Sequence, residues 1–368
     1  MLGRASKRVP LLAGFESSSM KFWDGRRFDA IRQSGHDRQA AVDYGLLAAS
    51  GIRTIRDGMR WHLIERTPGA YDWSSVTRMA DAALEAGVEI IWDLCHFGVP
   101  DHIDVLSREF PFRFADYAEA AAATIGRMSG NAPLWCPINE ISYWSYAAGT
   151  EGFIEPAARG RAEDIKRQLV SAFLAAATRL RAVDSRARCL ATDPLIHVTS
   201  RLGDSQEARA IVESSFAAWD MLLGRAAPEL GGHEGAIDLL GANYFPDNQR
   251  SIDDGLVGLG CIGYRPLHVL IETLWSRYGL PILLSETGAE GANASAWLSY
   301  ISREVALAVD DGIPVEGVCL YPAMDYPGWI DDRHCRCGLI RTDSACVERT
   351  VDSDVLASVV NWSAEGGS

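Results

Sequence analysis

The chain has 368 residues, 48% of them hydrophobic and 23% charged, with a formal net charge of −14. That length is normal for an α/β barrel with insertions, and the composition excludes disordered and fibrous classes. The acidic balance disfavours nucleic acid, which rewards Lys and Arg against phosphate, and anionic membrane surfaces.

The start of the chain, Met1 to Phe15, carries one apolar stretch, Val9-Pro10-Leu11-Leu12-Ala13. It is too short for a signal-peptide core, and no small-residue cleavage site follows. Nothing approaches the roughly eighteen apolar residues of a membrane span. A soluble, cytoplasmic protein is the expectation.

Beyond this point short apolar runs alternate with longer helical patterns, the signature of βα units. Strands are expected over Val9–Glu16, Ile52–Asp57, Val88–His96, Pro133–Glu140, Arg186–Asp193, Ile237–Tyr244, Pro281–Glu286 and Val315–Tyr321. Val88-Glu89-Ile90-Ile91-Trp92 and Ile282-Leu283-Leu284 are nearly continuous in apolar residues, as in strands buried on both faces. Helices are expected over Asp37–Ser50, Ser74–Ala86, Phe114–Ser129, Ala162–Val183, Ser205–Arg225, Pro266–Tyr278, Ala292–Asp311 and Ser353–Trp362, where apolar residues recur every three or four positions. Gly51 and Gly87 stand where a helix must stop before a strand.

This alternation predicts a closed (β/α)8 TIM barrel, a single domain over residues 1–368. The alternative, an open doubly wound sheet, would carry a Gly-rich phosphate loop after its first strand. Gly14-Phe15-Glu16-Ser17-Ser18-Ser19 lacks that spacing. Of the eight cysteines, several sit in strand-like runs as small hydrophobes. His334-Cys335-Arg336-Cys337 has no second ligand pair at zinc spacing, so neither a metal nor a cofactor is expected.

Barrel enzymes do their chemistry at the C-terminal ends of the strands. Here those ends carry Glu16, Arg56 and Asp57, Asp93 and His96, Asn139 and Glu140, Asp193, Asn243 and Tyr244, Glu286, and Tyr321. Trp135-Cys136-Pro137-Ile138-Asn139-Glu140 ends the fourth strand on a carboxylate, and Pro281-Ile282-Leu283-Leu284-Ser285-Glu286 ends the seventh on another. Two carboxylates across a barrel mouth suit glycoside hydrolysis, one protonating the leaving oxygen while the other attacks the anomeric carbon or activates water. A single such Glu would read as a salt-bridge residue; the pair, with Asn139 before Glu140, reads as catalytic.

These residues resemble clan A of the retaining glycoside hydrolases, most closely family 1, the β-glucosidase type. Asn139-Glu140 is similar to the family's acid/base Asn-Glu, and Ser285-Glu286-Thr287-Gly288 to its nucleophile Thr-Glu-Asn-Gly. Ile55-Arg56-Asp57-Gly58-Met59-Arg60-Trp61, Asp93-Leu94-Cys95-His96-Phe97-Gly98-Val99-Pro100, Asn243-Tyr244-Phe245, Tyr321-Pro322-Ala323-Met324-Asp325-Tyr326-Pro327-Gly328-Trp329 and Cys337-Gly338-Leu339 resemble further family segments in order. The resemblance spans roughly Phe15 to Leu339. It implies a retaining β-glycosidase, exo-acting on a small glycoside or oligosaccharide, with Glu140 as acid/base and Glu286 as nucleophile. Arg56 and Tyr244 would hydrogen-bond Glu286 and keep it ionised. Asn139 would hold the 2-hydroxyl, His96 another hydroxyl, and Tyr321 would floor the sugar in place of a Trp. Asp325 and Trp329 would bind sugar or anchor their loop. Asp193 and His197 have no counterpart and are left as pocket lining.

The chain departs from the pattern where sugars are selected. Glu16 stands near the position of a sugar-gripping Gln, Gly328 replaces a Glu, and Phe97 replaces a Trp. The corresponding strand-eight bond in the clan is often cis, so Tyr321-Pro322 is expected cis. The expected partner is a carbohydrate substrate, with neither nucleic acid nor membrane; a homo-oligomer is compatible with the sequence. A transglycosidase on the same residues and a non-catalytic carbohydrate-binding barrel are the competing readings.

Overall fold

Eight short, largely apolar strands close on themselves as one parallel barrel: β1 (Leu11–Gly14), β2 (Thr54–Gly58), β3 (Glu89–Cys95), β4 (Leu134–Ile138), β5 (Arg188–Pro194), β6 (Leu239–Asn243), β7 (Ile282–Thr287) and β8 (Val315–Leu320). Each strand pairs with its neighbours in sequence, and β1 closes the ring against β8 through Leu11↔Val318 and Leu12↔Cys319. This computed structural model describes residues 9–129, 134–201, 203, 205–331 and 333–364. Residues 1–8 and Pro133, on which the expected leader reading and fourth-strand start partly fall, lie outside the described residues.

Side chains alternate along each strand, and the two sets have different fates. Leu12, Ile91, Cys136, Leu190, Leu239, Leu283 and Cys319 fill the barrel interior. Their neighbours Ala13, Trp92, Trp135, Ala191, Leu240, Leu284 and Val318 face outward and pack beneath the helices. Both faces are buried, which is why these runs read as continuously apolar.

The outer layer is α1 (His36–Ala49), α2 (Ser74–Ala86), α3 (Phe110–Ser129), α4 (Ala162–Val183), α5 (Gln206–Ser215), α6 (Ala217–Leu222), α7 (Leu267–Tyr278), α8 (Ala294–Asp310) and α9 (Ser353–Ala364). Two boundaries correct the sequence reading. The helix expected from Phe114 begins at Phe110, because Pro111 is tolerated in a first turn, where its missing N–H has no partner to lose. The single helix expected over Ser205–Arg225 divides at Phe216 into α5 and α6, and Phe216 packs against Trp219 and Tyr278. α9 docks back on the start of β1 through Trp362 Nε1 donating to Val9 O at 2.9 Å. The loops also carry a three-stranded sheet of His197–Thr199, Gln249–Ser251 and Gly255–Leu256. Strands of two or three residues show no readable alternation.

Behind β1 and β2, His36 is clamped between two carboxylates, with Nδ1 2.8 Å from Asp43 and Nε2 2.8 Å from Asp57. Tyr44 donates to Asp57 at 2.7 Å and Arg349 to Asp43 at 2.7 Å, while the imidazole stacks on Phe15 at 3.8 Å. Burial alone would lower the His36 pKa, but the paired carboxylates outweigh it and raise it to about 9. The ring is therefore an imidazolium at neutral pH, bracing Asp57 beside Arg56 and Phe15 beside Glu16.

Candidate active site

β4 ends on Asn139 and Glu140. Glu140 has φ +46°, a left-handed conformation that is sparsely populated outside glycine and clusters at functional sites. It turns the chain from β4 into the short helix Ile141–Tyr146, whose first N–H groups are met by Asp193 at the end of β5: Ser142 N and Oγ donate to its carboxylate at 2.9 and 3.0 Å. Burial, offset in part by these bonds, raises the Asp193 carboxyl to about 7.

β7 ends on Glu286, and Arg56 of β2 reaches it across the barrel. The Arg56 Nη1 donates to Glu286 Oε1 at 2.5 Å and to Ser285 O at 3.2 Å. Its Nε donates to Asp93 Oδ1 at 2.9 Å, and its Nη2 to Asn139 Oδ1 at 2.7 Å. Asn139 Oδ1 also accepts from Thr192 at 2.8 Å, while its amide nitrogen lies 2.9 Å from His96 Nε2. His96 Nδ1 lies 3.1 Å from Asp93. These contacts orient Asn139: its carbonyl faces Arg56 and its amide faces His96.

Glu140 has a different neighbour. Asn243 of β6 donates to Glu140 Oε1 at 2.8 Å, and its own carbonyl accepts from Ser285 at 2.6 Å, which fixes the amide the right way round. Burial, and then the neighbouring Glu286 charge, raise Glu140 well above the ordinary carboxylate range, with the Asn243 bond offsetting part of the rise. Burial raises Glu286 as well, but Arg56 and His96 oppose it. The expected bond from Arg56 to Glu286 is present and lowers the carboxyl, but burial outweighs the guanidinium, and the two carboxyls differ in how far each is raised.

Both carboxyls open on a cavity of about 920 Å³, which is also lined by Glu16, His96, Asn139, Tyr321 and Trp329. Glu16 Oε1 accepts from Ser18 N at 3.0 Å and from the Ser18 hydroxyl. Tyr321 lies across the barrel mouth, with the Arg56 guanidinium 5.8 Å from its ring centroid. Gly14 makes room for it, since a Cβ there would come within 2.6 Å of the ring. The bond Tyr321-Pro322 is cis, as expected. The Tyr321 hydroxyl and Trp329 Nε1 are buried with no hydrogen-bond partner among the described residues. Trp329 also packs edge-on against Phe97.

Two expected site residues do not join this group. The Tyr244 hydroxyl lies 3.0 Å from Tyr264 and accepts from Gln249 at 2.7 Å, and it makes no bond to Glu286. Its ring stacks on Trp297, which holds it away from the nucleophile position. Asp325 is fully buried behind the cavity, accepting from Arg341 at 2.9 Å and from Gly338 N at 3.1 Å; it anchors the loop that carries Trp329. Asn243 stood among the strand-end residues without a role, and Tyr143, Tyr264, Trp297 and Tyr326 gave no local signal, yet all four line the cavity. Cys335 and Cys337 line it too; among the described residues no group of three or more His, Cys, Asp or Glu is placed to hold a metal. No helix among the described residues is long and apolar enough to cross a membrane.

A β-glucosidase from Thermotoga maritima in complex with glucoimidazole superposes with a TM-score of 0.79 at 16% identity, over 98% of this chain and 99% of that chain. The fold is that of the family 1 β-glucosidases. The AHE enzyme from Alicyclobacillus herbarius superposes with a TM-score of 0.79 at 19% identity, over 97% of this chain and 98% of that one. In sequence, a β-glucosidase of Agrobacterium sp. (strain ATCC 21400) is 29% identical over 156 residues, covering 34% of this chain. The match spans about a third of that relative's length, 34%. No protein-family model matches the chain.

Proposed function

We propose that the chain is a retaining β-glycoside hydrolase whose nucleophile is Glu286 and whose acid/base is Glu140, working as one catalytic barrel. The observation that carries this reading is the pair itself: two buried carboxyls at the ends of β4 and β7 open on one cavity, with a guanidinium on Glu286 and only a neutral amide on Glu140. When one of the two protons leaves, the charge settles beside Arg56, and Glu140 keeps its proton. That is the division of labour double displacement needs.

In the first step Glu286 attacks the anomeric carbon while Glu140 gives its proton to the leaving oxygen, releasing an alcohol and leaving a glycosyl ester on Glu286. In the second, Glu140, now a carboxylate, takes a proton from water; the resulting hydroxide attacks the same carbon and Glu286 leaves as carboxylate. The Tyr321 ring and the Trp329 and Asn139 donors supply an apolar floor and polar contacts for a sugar ring. Leu12, Ile91 and Cys136 fill the barrel below the cavity, and the action we propose is exo, on a small β-glycoside.

A panel of aryl β-glycosides tests this. Wild type should turn over at least one sugar with retention of anomeric configuration, read by NMR on the first-formed product. Glu286→Ala and Glu140→Ala should each lose most activity. Inversion, or fully active variants, would overturn the assignment; unaltered sugar binding with no turnover by wild type would favour the binding-barrel reading instead.

A further inference from the structure

We propose that the cavity selects a cationic sugar, so that the substrates are β-glycosides of an amino sugar with a free, protonated amine, and that Glu16 makes the choice. This rests on the glycosidase reading above and narrows it to a substrate class.

Glu16 follows β1 and is only 7% exposed, yet it lines the cavity that holds Glu140 and Glu286. Its backbone is fixed: Phe15 N donates to Arg56 O at 3.0 Å, and the Phe15 ring stacks on His36 at 3.8 Å. The two bonds that Glu16 accepts, from Ser18 N and from the Ser18 hydroxyl, both go to Oε1. Oε2 accepts from no described residue, and no Lys, Arg or His among the described residues lies within ion-pair distance of this carboxyl. A carboxylate withdrawn from water without a cation is costly, so a ligand that brings a cation to it gains more than one that brings a hydroxyl.

The basic groups around the site are already committed. Arg56 spends its donors on Asp93, Asn139 and Glu286. Among the cavity-lining residues, His96 sits between Asp93 and Asn139, and Arg333 pairs with Glu290 and with Asp331 at 3.3 Å. Glu16, Asp247 and Glu290 line the same cavity in addition to the catalytic pair, so its balance is acidic.

A second feature points the same way. The Tyr321 hydroxyl is raised well above the ordinary phenol range, by burial and then by the Glu16 charge, which places the carboxyl close to that ring. Tyr321 is 3% exposed, lines the cavity, and its hydroxyl has no hydrogen-bond partner among the described residues. Aromatic faces attract an ammonium group. An amine between Glu16 and the Tyr321 ring therefore meets a carboxylate and a π face together. A neutral sugar leaves the Glu16 charge uncompensated, and an acidic sugar is repelled by it.

The experiment compares kcat/KM for aryl β-glycosides in matched threes: a parent sugar, the analogue with an amine in place of one hydroxyl at each non-anomeric position in turn, and the N-acetyl form of each amine. One amino glycoside should exceed both its parent and its N-acetyl form by at least about tenfold, the equivalent of about 1.4 kcal/mol and no more than a hydrogen bond to a charged group supplies. That preference should fade as pH rises through the pKa of the substrate's own amine. Glu16→Gln, which keeps the shape and removes the charge, should lower the amino-to-parent ratio by about the same tenfold, and Glu16→Asp should keep part of it. The ratio is taken within one protein preparation, so a smaller folded fraction does not alter it. Calorimetric binding of amino against parent 1-thio-β-glycosides reads the preference without turnover. Amine-dependent binding with no turnover would sink the catalytic reading and leave this inference standing. Turnover that favours the parent sugars, or an amino-to-parent ratio that Glu16→Gln leaves unmoved, would sink the inference and leave the catalytic reading standing.

Discussion

Arg56→Met removes the guanidinium that lies 2.5 Å from Glu286 Oε1 and also binds Asp93 and Asn139. Unit charges with centres about 4 Å apart attract by about 4 kcal/mol at an effective dielectric of about 20. At 1.36 kcal/mol per pH unit, that corresponds to about three pH units in the Glu286 carboxyl. Water entering the space left by the guanidinium screens part of the loss, so a displacement of about two pH units is expected. The sign follows from the mechanism. Attack needs ionised Glu286, and losing its cation raises its pKa, so the acid limb of kcat/KM moves to higher pH. On the acid limb, activity should fall about a hundredfold for two such units. The assay is kcat/KM for an aryl β-glycoside over roughly pH 4–9, with circular dichroism to establish that the variant is folded. Arg56→Lys, which keeps a cation but loses the fork geometry, should fall between wild type and Arg56→Met. If kcat/KM drops by the same factor at every pH and the acid limb stays put, Arg56 is a brace for the barrel mouth and the reasoning about Glu286 fails.

Asn243→Ala removes the neutral donor on Glu140; because that bond lowers the Glu140 pKa, the alkaline limb should move up by about one pH unit, read from the same profiles. Tyr244→Phe should cost less than about tenfold in kcat/KM and about 1 kcal/mol of stability by denaturant unfolding, since its hydroxyl serves Tyr264 and Gln249; a hundredfold catalytic loss would show that it reaches Glu286 during turnover. The His36 clamp predicts a stability profile. Its folded pKa, raised from 6.5 to about 9, means a contribution fully present below 6.5 and lost as pH rises through about 9. The difference amounts to about 3 kcal/mol, so wild type should lose that much more stability between roughly pH 6 and 10 than His36→Gln does. Parallel profiles for the two proteins would show that His36 is neutral in the folded state.

Much of the architecture is legible along the chain because it is set by local pattern. Runs such as Ile282-Leu283-Leu284, short and set between helical patterns, fit strands buried on both faces, and the helical spacing between them leaves a parallel sheet as the packing solution. The same pattern puts Glu140 and Glu286 at strand ends on one face of the barrel, so the pair of carboxyls was readable in outline. The split of the Ser205–Arg225 helix at Phe216 was not, because the break is marked by the packing of Phe216 on Trp219 and Tyr278 rather than by Gly or Pro.

Tertiary structure decided what each strand-end residue touches. Arg56 meets Glu286 across 230 positions and Asn243 meets Glu140 across 103, contacts that no local pattern encodes. At the strand ends a side chain's direction is set by its neighbours' packing rather than by alternation, even where, as at Tyr244 N donating to Glu286 O at 2.8 Å, the backbone is still bonded to the next strand. Hence Tyr244, one residue past β6, turned onto Trp297 and Tyr264, and Asp325 turned inward onto Arg341. The sequence by itself determined a barrel with two carboxyls at its mouth; only closure of the ring decided which carboxyl faces a cation and which faces an amide.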